Sequence, residues 1–175
     1  AGEVALSKLV LKLQKDLNYL QPFLKDEEFR EILSCFDANP NFTDLSVEYT
    51  RLFRGPVKAL VYPYESIHVE GEVLGETTRD VVKRYADAGL KIAQGFKDLP
   101  DHIKAELEFM YFLCAREEEA RVSNSAEDIL KFMGFQKDFC QQHLYPWLPQ
   151  FCRGIEENVD GSFFKVISRL MSAFM

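Results

Sequence analysis

The sequence predicts an all-α fold, a single-domain helical bundle of about seven to nine helices with one long ordered loop at about 57–75. Three observations predict it. Apolar residues recur three and four apart through most of the chain, which is the period of an amphipathic helix. Most of these stretches end at Pro, Gly or an Asn/Ser cluster, residues that stop helices. The 175 residues are one domain's worth, enough to bury roughly 70% of the unfolded surface around a core.

The elements follow in order. Leu6, Leu9, Val10, Leu13, Leu17 and Leu20 make a first amphipathic helix, with Lys8, Lys12 and Lys15 between them, closing before Pro22. A second begins near Asp26, with acids in its first turn, where the helix dipole favours them. It sets Phe29, Ile32, Leu33 and Phe36 on one face and stops at Asp37-Ala38-Asn39-Pro40. A third runs from near Leu45 to Phe53 and stops at Arg54-Gly55-Pro56. Val57 to Gly75 then breaks the period, with Pro63, Gly71, Gly75 and a loose alternation through Ile67, Val69 and Val73. This reads as a mostly extended, ordered connection, and loops of that length are often functional.

Helices then resume. Thr77 with Asp80 reads as a capping box, followed by Val81, Val82, Tyr85 and Ala88 up to Gly89. A helix from about Asp101 to Ala120 carries Ile103, Leu107, Met110, Tyr111 and Cys114 on one face. Phe109, Phe112 and Leu113 widen that face, which marks a central helix, and Glu117, Glu118 and Glu119 end it in solvent. Ser123-Asn124-Ser125 is a breaker and a candidate hinge near 121–126. Ser125 with Asp128 caps the next helix, where Ile129, Phe132, Met133, Phe135, Phe139 and Cys140 run toward His143. Pro146 and Pro149 allow a kink or break around Trp147. A last helix runs from Phe163 to Phe174.

Composition excludes several classes. Hydrophobic residues are 47% and charged residues 28%, ordinary for a soluble globular protein. Lys plus Arg is 21 against 28 Asp plus Glu, a net charge of −7. That is a poor match to a nucleic-acid backbone and suits a partner carrying positive charge. No run approaches the roughly 18 apolar residues of a membrane span, so no stable membrane insertion is expected. Ala1-Gly2-Glu3 offers no basic opening, so the start does not read as a signal peptide. Cys35, Cys114, Cys140 and Cys152 have long, uneven gaps and read as reduced thiols of a cytoplasmic protein.

Motifs of catalysis are sparse. The chain has no phosphate loop, no G-x-G-x-x-G turn, no H-E-x-x-H and no G-x-S-x-G. Cys140, His143 and Cys152 would make three metal ligands without a fourth; two packed thiols and a helix-end His describe them as well. Three clusters remain. Tyr49, Leu52 and Phe53 share one helix face ahead of Gly55-Pro56, either a binding face or a core face. Tyr62-Pro63-Tyr64-Glu65-Ser66-Ile67-His68 can line a groove or cover the core. Leu99-Pro100-Asp101-His102 places Asp101 at a helix N-cap, with a His in the first turn that leans neutral against the dipole.

In this order and spacing, the clusters resemble the redox-enzyme maturation chaperones of the TorD/DmsD/NarJ type. The resemblance runs from roughly Leu45 to the last helix. It rests on Tyr49, Leu52, Phe53, Gly55 and Pro56; on Pro63, Tyr64 and Ser66; on Tyr85 and Gly89; on Pro100, Asp101 and His102 with Glu106, Leu107, Phe109 and Met110; and on His143, Leu144 and Trp147. Two positions depart from the family pattern: Tyr49 is often Trp there, and His68 stands where an aromatic commonly follows the Ser.

The resemblance implies a cytoplasmic chaperone with no reaction of its own. Its partner would be a molybdenum-containing oxidoreductase, bound through an N-terminal twin-arginine leader or other N-terminal segment and held until cofactor insertion. It implies no resident cofactor, although weak guanine-nucleotide binding has been associated with some members. Monomers and domain-swapped dimers both occur in the family. A leader is basic and then modestly apolar, so Tyr49, Leu52, Phe53, Pro63 and Tyr64 would supply an apolar groove. Asp101, with Glu48 or Glu65, would meet the arginines. The alternatives are a scaffold binding the folded catalytic subunit without leader recognition, or a helical metal- or nucleotide-dependent hydrolase.

Overall fold

The computed structural model describes residues 26–37, 42–55, 58–160 and 163–173. The predicted first helix at Leu6–Leu20 and the motif residue Pro56 lie outside them. Among the described residues there are eight α-helices and no strand: α1 (Asp26–Asp37), α2 (Phe42–Phe53), α3 (Glu65–Val69), α4 (Glu76–Asp87), α5 (Ile103–Val122), α6 (Ala126–Phe139), α7 (Leu148–Asn158) and α8 (Phe163–Ala173). A π-helical turn, Cys140–Leu144, follows α6 directly. None of these helices is long and apolar enough to cross a membrane. They fall into two compact units, one from the chain up to Val61 together with Phe151 onward, the other Tyr62–Gln150.

In the first unit, α1 packs against α8. Its core includes Phe29, Ile32, Leu52, Phe151, Ile155 and Val166, all buried. The end of α2 is set by Gly55, which sits at φ +59. There the chain folds back, and the Leu60 and Val61 amides both donate to the Leu52 carbonyl at 2.9 and 3.0 Å. An added Cβ on Gly55 would lie 2.0 Å from the Lys58 carbonyl oxygen, so this turn requires glycine.

The second unit is built on α5 and α6, packed along each other. Tyr85 and Phe139 both approach Phe109, with ring centroids 4.7 and 4.8 Å away. The buried side of α5 runs Glu106, Phe109, Leu113, Ala120, whereas Leu107, Tyr111 and Cys114 are exposed. The sequence reading put the latter three on the packed face. Between Ile103 and Ala115 apolar residues fall on every side of the helix, so periodicity has nothing to choose with and neighbours decide.

The irregular stretch predicted over 57–75 carries the short helix α3 within it. α4 starts at Glu76 without a Thr77–Asp80 capping box. Instead the Glu70 carboxylate accepts from the Glu76 amide and from both the amide and hydroxyl of Thr77, capping the helix from outside. The Ser125 cap holds as expected: its hydroxyl accepts from the Asp128 amide and donates to the Asp128 carboxylate. The break before Trp147 takes the form of the π turn, in which the Tyr145 amide reaches the Cys140 carbonyl at 2.9 Å.

Candidate functional site

The predicted site residues divide between the units. Tyr49, Leu52, Phe53 and Gly55 belong to the first; Pro63, Tyr64, Ser66, Asp101 and His102 belong to the second.

In the first unit, Tyr49, Leu52 and Phe53 share a face of α2 as their spacing requires. Leu52 is fully buried and Phe53 half-buried. Phe53 sits among Tyr49, Phe151 and Phe164, with ring centroids 5.2, 6.0 and 5.7 Å away. Tyr49, 37% exposed, closes this aromatic cluster toward solvent. The face is therefore core at Leu52 and open at Tyr49. Glu48 pairs with Arg51 at 3.8 Å.

In the second unit the chain clasps itself. The Pro63 carbonyl accepts from the Ile103 amide at 2.9 Å, and the Asp101 carbonyl accepts from the Glu65 amide at 3.0 Å. Tyr64 and His102 thereby form a short antiparallel bridge. The Asp101 carboxylate accepts from the Ser66 amide at 3.0 Å, an interaction shut off from water. Asp101 and Ser66 are both fully buried. Asp101 is thus not the N-cap of α5. That position is held by His102, whose Nδ1 accepts from the Lys104 amide at 3.0 Å. With Nδ1 an acceptor, Nε2 carries the proton and points at Asp98, 3.7 Å away. Burial lowers the His102 pKa. Desolvation is the largest cause and favours the neutral imidazole, the direction the sequence predicts from the helix dipole. Tyr64 packs edge-on to that ring at 5.2 Å and donates its hydroxyl to Asp98 at 2.9 Å.

Behind the clasp lies a buried polar cluster. Glu65, Glu106 and His143 are 1%, 0% and 3% exposed. His143 Nδ1 lies 3.1 Å from a Glu65 carboxylate oxygen, and its Nε2 lies 3.3 Å from Asp80. Burial raises the Glu65 pKa, with His143 acting against it. Burial also raises the Glu106 pKa well above the usual carboxylate range, and the neighbouring Glu65 and Asp101 push the same way. Burial and its two acidic neighbours thus favour the protonated form of Glu106 beside Glu65, with the Trp147 indole its other polar neighbour. The His68 ring lies against Trp147, tilted, with centroids 5.2 Å apart, and donates to the Tyr62 carbonyl at 2.7 Å.

Two expectations change. Asp101 and Glu65 do not face solvent as arginine partners; both are spent on internal bonds. His143 is not a helix-end residue satisfying carbonyls but the partner of Glu65. The Glu65–Glu106–His143 cluster was missed as a unit because its members lie far apart in sequence. One signal was available: Glu106 stands in register with Phe109 and Leu113 on the buried stripe of α5.

Within the second unit the motif segments 63–66 and 100–102 interlock, and within the first Tyr49 stays at the surface; both belong to an all-helical chain. A crystal structure assigned as a redox enzyme maturation protein from Archaeoglobus fulgidus shares the fold. The TM-score is 0.58 at 21% identity, covering 99% of this chain and 93% of that one. Residues 12–153 match the family model described as nitrate reductase delta subunit, and the chain belongs to that family. Among its relatives is the chaperone protein TorD of Vibrio parahaemolyticus, 26% identical over 79% of this chain and 64% of the relative. Another is the perchlorate reductase assembly chaperone of Dechloromonas aromatica, 25% identical over 96% of this chain and 75% of the relative. The selenate reductase assembly chaperone of Thauera selenatis is 30% identical over 64% of this chain and 58% of the relative. The TorD-type resemblance read from the motifs is thus borne out. The chain spans slightly under two thirds of the Vibrio parahaemolyticus relative's length.

Proposed function

We propose that this protein is a cytoplasmic assembly chaperone without a reaction of its own. It binds the N-terminal segment of the catalytic subunit of a molybdenum-containing oxidoreductase, a twin-arginine leader where the client has one. It holds that subunit until its cofactor is inserted, ahead of export or membrane assembly. The observation carrying this reading is kinship with a relative named as a chaperone protein and with two named as reductase assembly chaperones. The charge distribution supports it: residues 62–150 hold sixteen Asp and Glu against ten Lys and Arg, a field that attracts a basic segment. Of the motif residues, Tyr49 and Tyr64 present ring surface to a client. Leu52, Phe53, Gly55, Pro63, Ser66, Asp101 and His102 hold the backbone that presents them.

The test is co-expression with a candidate molybdoenzyme subunit, intact and lacking its N-terminal segment. The intact client is expected to co-purify and the truncated one to be lost. Retention of both would support a scaffold for the folded subunit instead. Retention of neither would refute the chaperone reading.

A further inference from the structure

We propose that the apolar recess between residues 90–100 and α5 is a docking surface for a linear client segment with a short apolar run beside basic residues. The inference rests on the chaperone reading and adds to it a contact surface apart from Tyr49 and Tyr64. The recess lies within the second unit and encloses about 410 Å³, within the usual size of ligand-binding pockets. Tyr85, Ile92, Phe96, Phe109, Tyr111 and Phe112 line it. Gly89 at φ +89 lets the chain leave α4, and Gly95 at φ +91 turns it again, so that Ile92 and Phe96 stand along the rim. Ile92, Phe96 and Tyr111 are 43%, 38% and 73% exposed. Three large apolar side chains at one recess, left in water, are what an interaction site leaves uncovered.

Charge identifies the occupant. Glu108 and Lys91 line the recess itself. A small adjoining cleft shares Phe109 and is lined by Asp87, Asp138 and Arg84. Arg84 is committed to Gln142 and Asp80. Asp87 and Asp138 make no ion pair among the described residues. Two available carboxylates beside an apolar recess fit an apolar run flanked by Arg or Lys. A second copy of this chain fits poorly, because it would bring the same acids to the same place.

The probe is a synthetic peptide bearing an Arg-Arg pair followed by a short Leu/Ala-rich stretch, titrated by calorimetry against the full chain. Ile92→Glu with Phe96→Glu, both exposed and outside helices, should weaken binding by about tenfold or more. Tyr111→Ser, on the open side of α5, should act in the same direction and guards against a folding artefact. Asp87→Asn with Asp138→Asn should weaken binding several-fold and flatten its salt dependence. In parallel, a photo-crosslinker at position 96 should capture the N-terminal segment of the co-expressed client. Native affinity in the Ile92/Phe96 and Tyr111 variants would overturn this surface while leaving the chaperone reading intact. So would a crosslink mapping elsewhere on the client. Self-association abolished by the same substitutions would give the recess to a second copy and overturn it too. Failure of both peptide and whole client to bind the native chain would overturn both readings.

Discussion

Asp101 can be read two ways, and substitution separates them. As a client contact, its negative charge would pair with an arginine. As a clasp, its carboxylate is an acceptor for one buried amide, that of Ser66, at 3.0 Å. Replacing Asp101 with Ala leaves that N–H without a partner in a place water does not reach. An orphaned buried donor costs about 1–3 kcal/mol, and bonds to a charged acceptor sit toward the upper end, so about 2–3 kcal/mol is expected. For a chain of this length that is a fall in melting temperature of about 4–12 °C. Asp101→Asn keeps a carbonyl oxygen that can accept from Ser66 and gives up only the charge, so its cost should be about 1 kcal/mol. The assay is thermal unfolding of the native chain and both variants, with client binding measured well below each transition. The clasp predicts that Asn restores most of the stability and, with it, binding. If Asn loses client binding as fully as Ala while melting near the native chain, the charge itself is the contact and the clasp reasoning is refuted.

Two further outcomes are expected. Because burial raises the Glu106 pKa, the folded chain keeps a proton that the unfolded chain releases above the ordinary value of 4.5. The contribution of Glu106 to stability is therefore fully present below that value and is lost as pH rises from it toward the folded pKa. Glu65, raised in the same direction, contributes a similar trend. Glu106→Gln should flatten the decline in chemical-denaturation series between about pH 5 and 8, and parallel slopes would refute a neutral Glu106. Gly55→Ala should lower the urea midpoint more than Gly89→Ala does. Both sit at positive φ, but only the first brings its Cβ within 2.0 Å of a backbone carbonyl, while the second meets nothing within 4 Å. Backbone strain alone costs about 1–2 kcal/mol, so the excess at Gly55 measures the clash, and equal midpoints would deny it.

Much of the helical layout is legible in the spacing of apolar residues. The period of 3.6 placed α1, α2, α4, α5, α6 and α8 close to their observed bounds, and Ser125 marked the start of α6, because these signals are local. α3 escaped since five residues are too few to show a period. The cap of α5 fell one residue late because Asp101, the better capping type, is drawn inward by the Ser66 amide and leaves the role to His102. The motif residues were also legible, but their task was not. Pro63, Ser66 and Asp101 looked like surface groups because their types are common at surfaces.

The all-helical class, the family and the excess of acid follow from residue types and their near-neighbour spacing. Which face of α5 is buried, that Glu65, Glu106 and His143 meet, and that Ile92, Phe96 and Tyr111 remain open around one recess are set by long-range packing. Burial is what divides the two. It depends on partners tens of residues away, and it alone turns a carboxylate from a solvated charge into a neutral or bonded group.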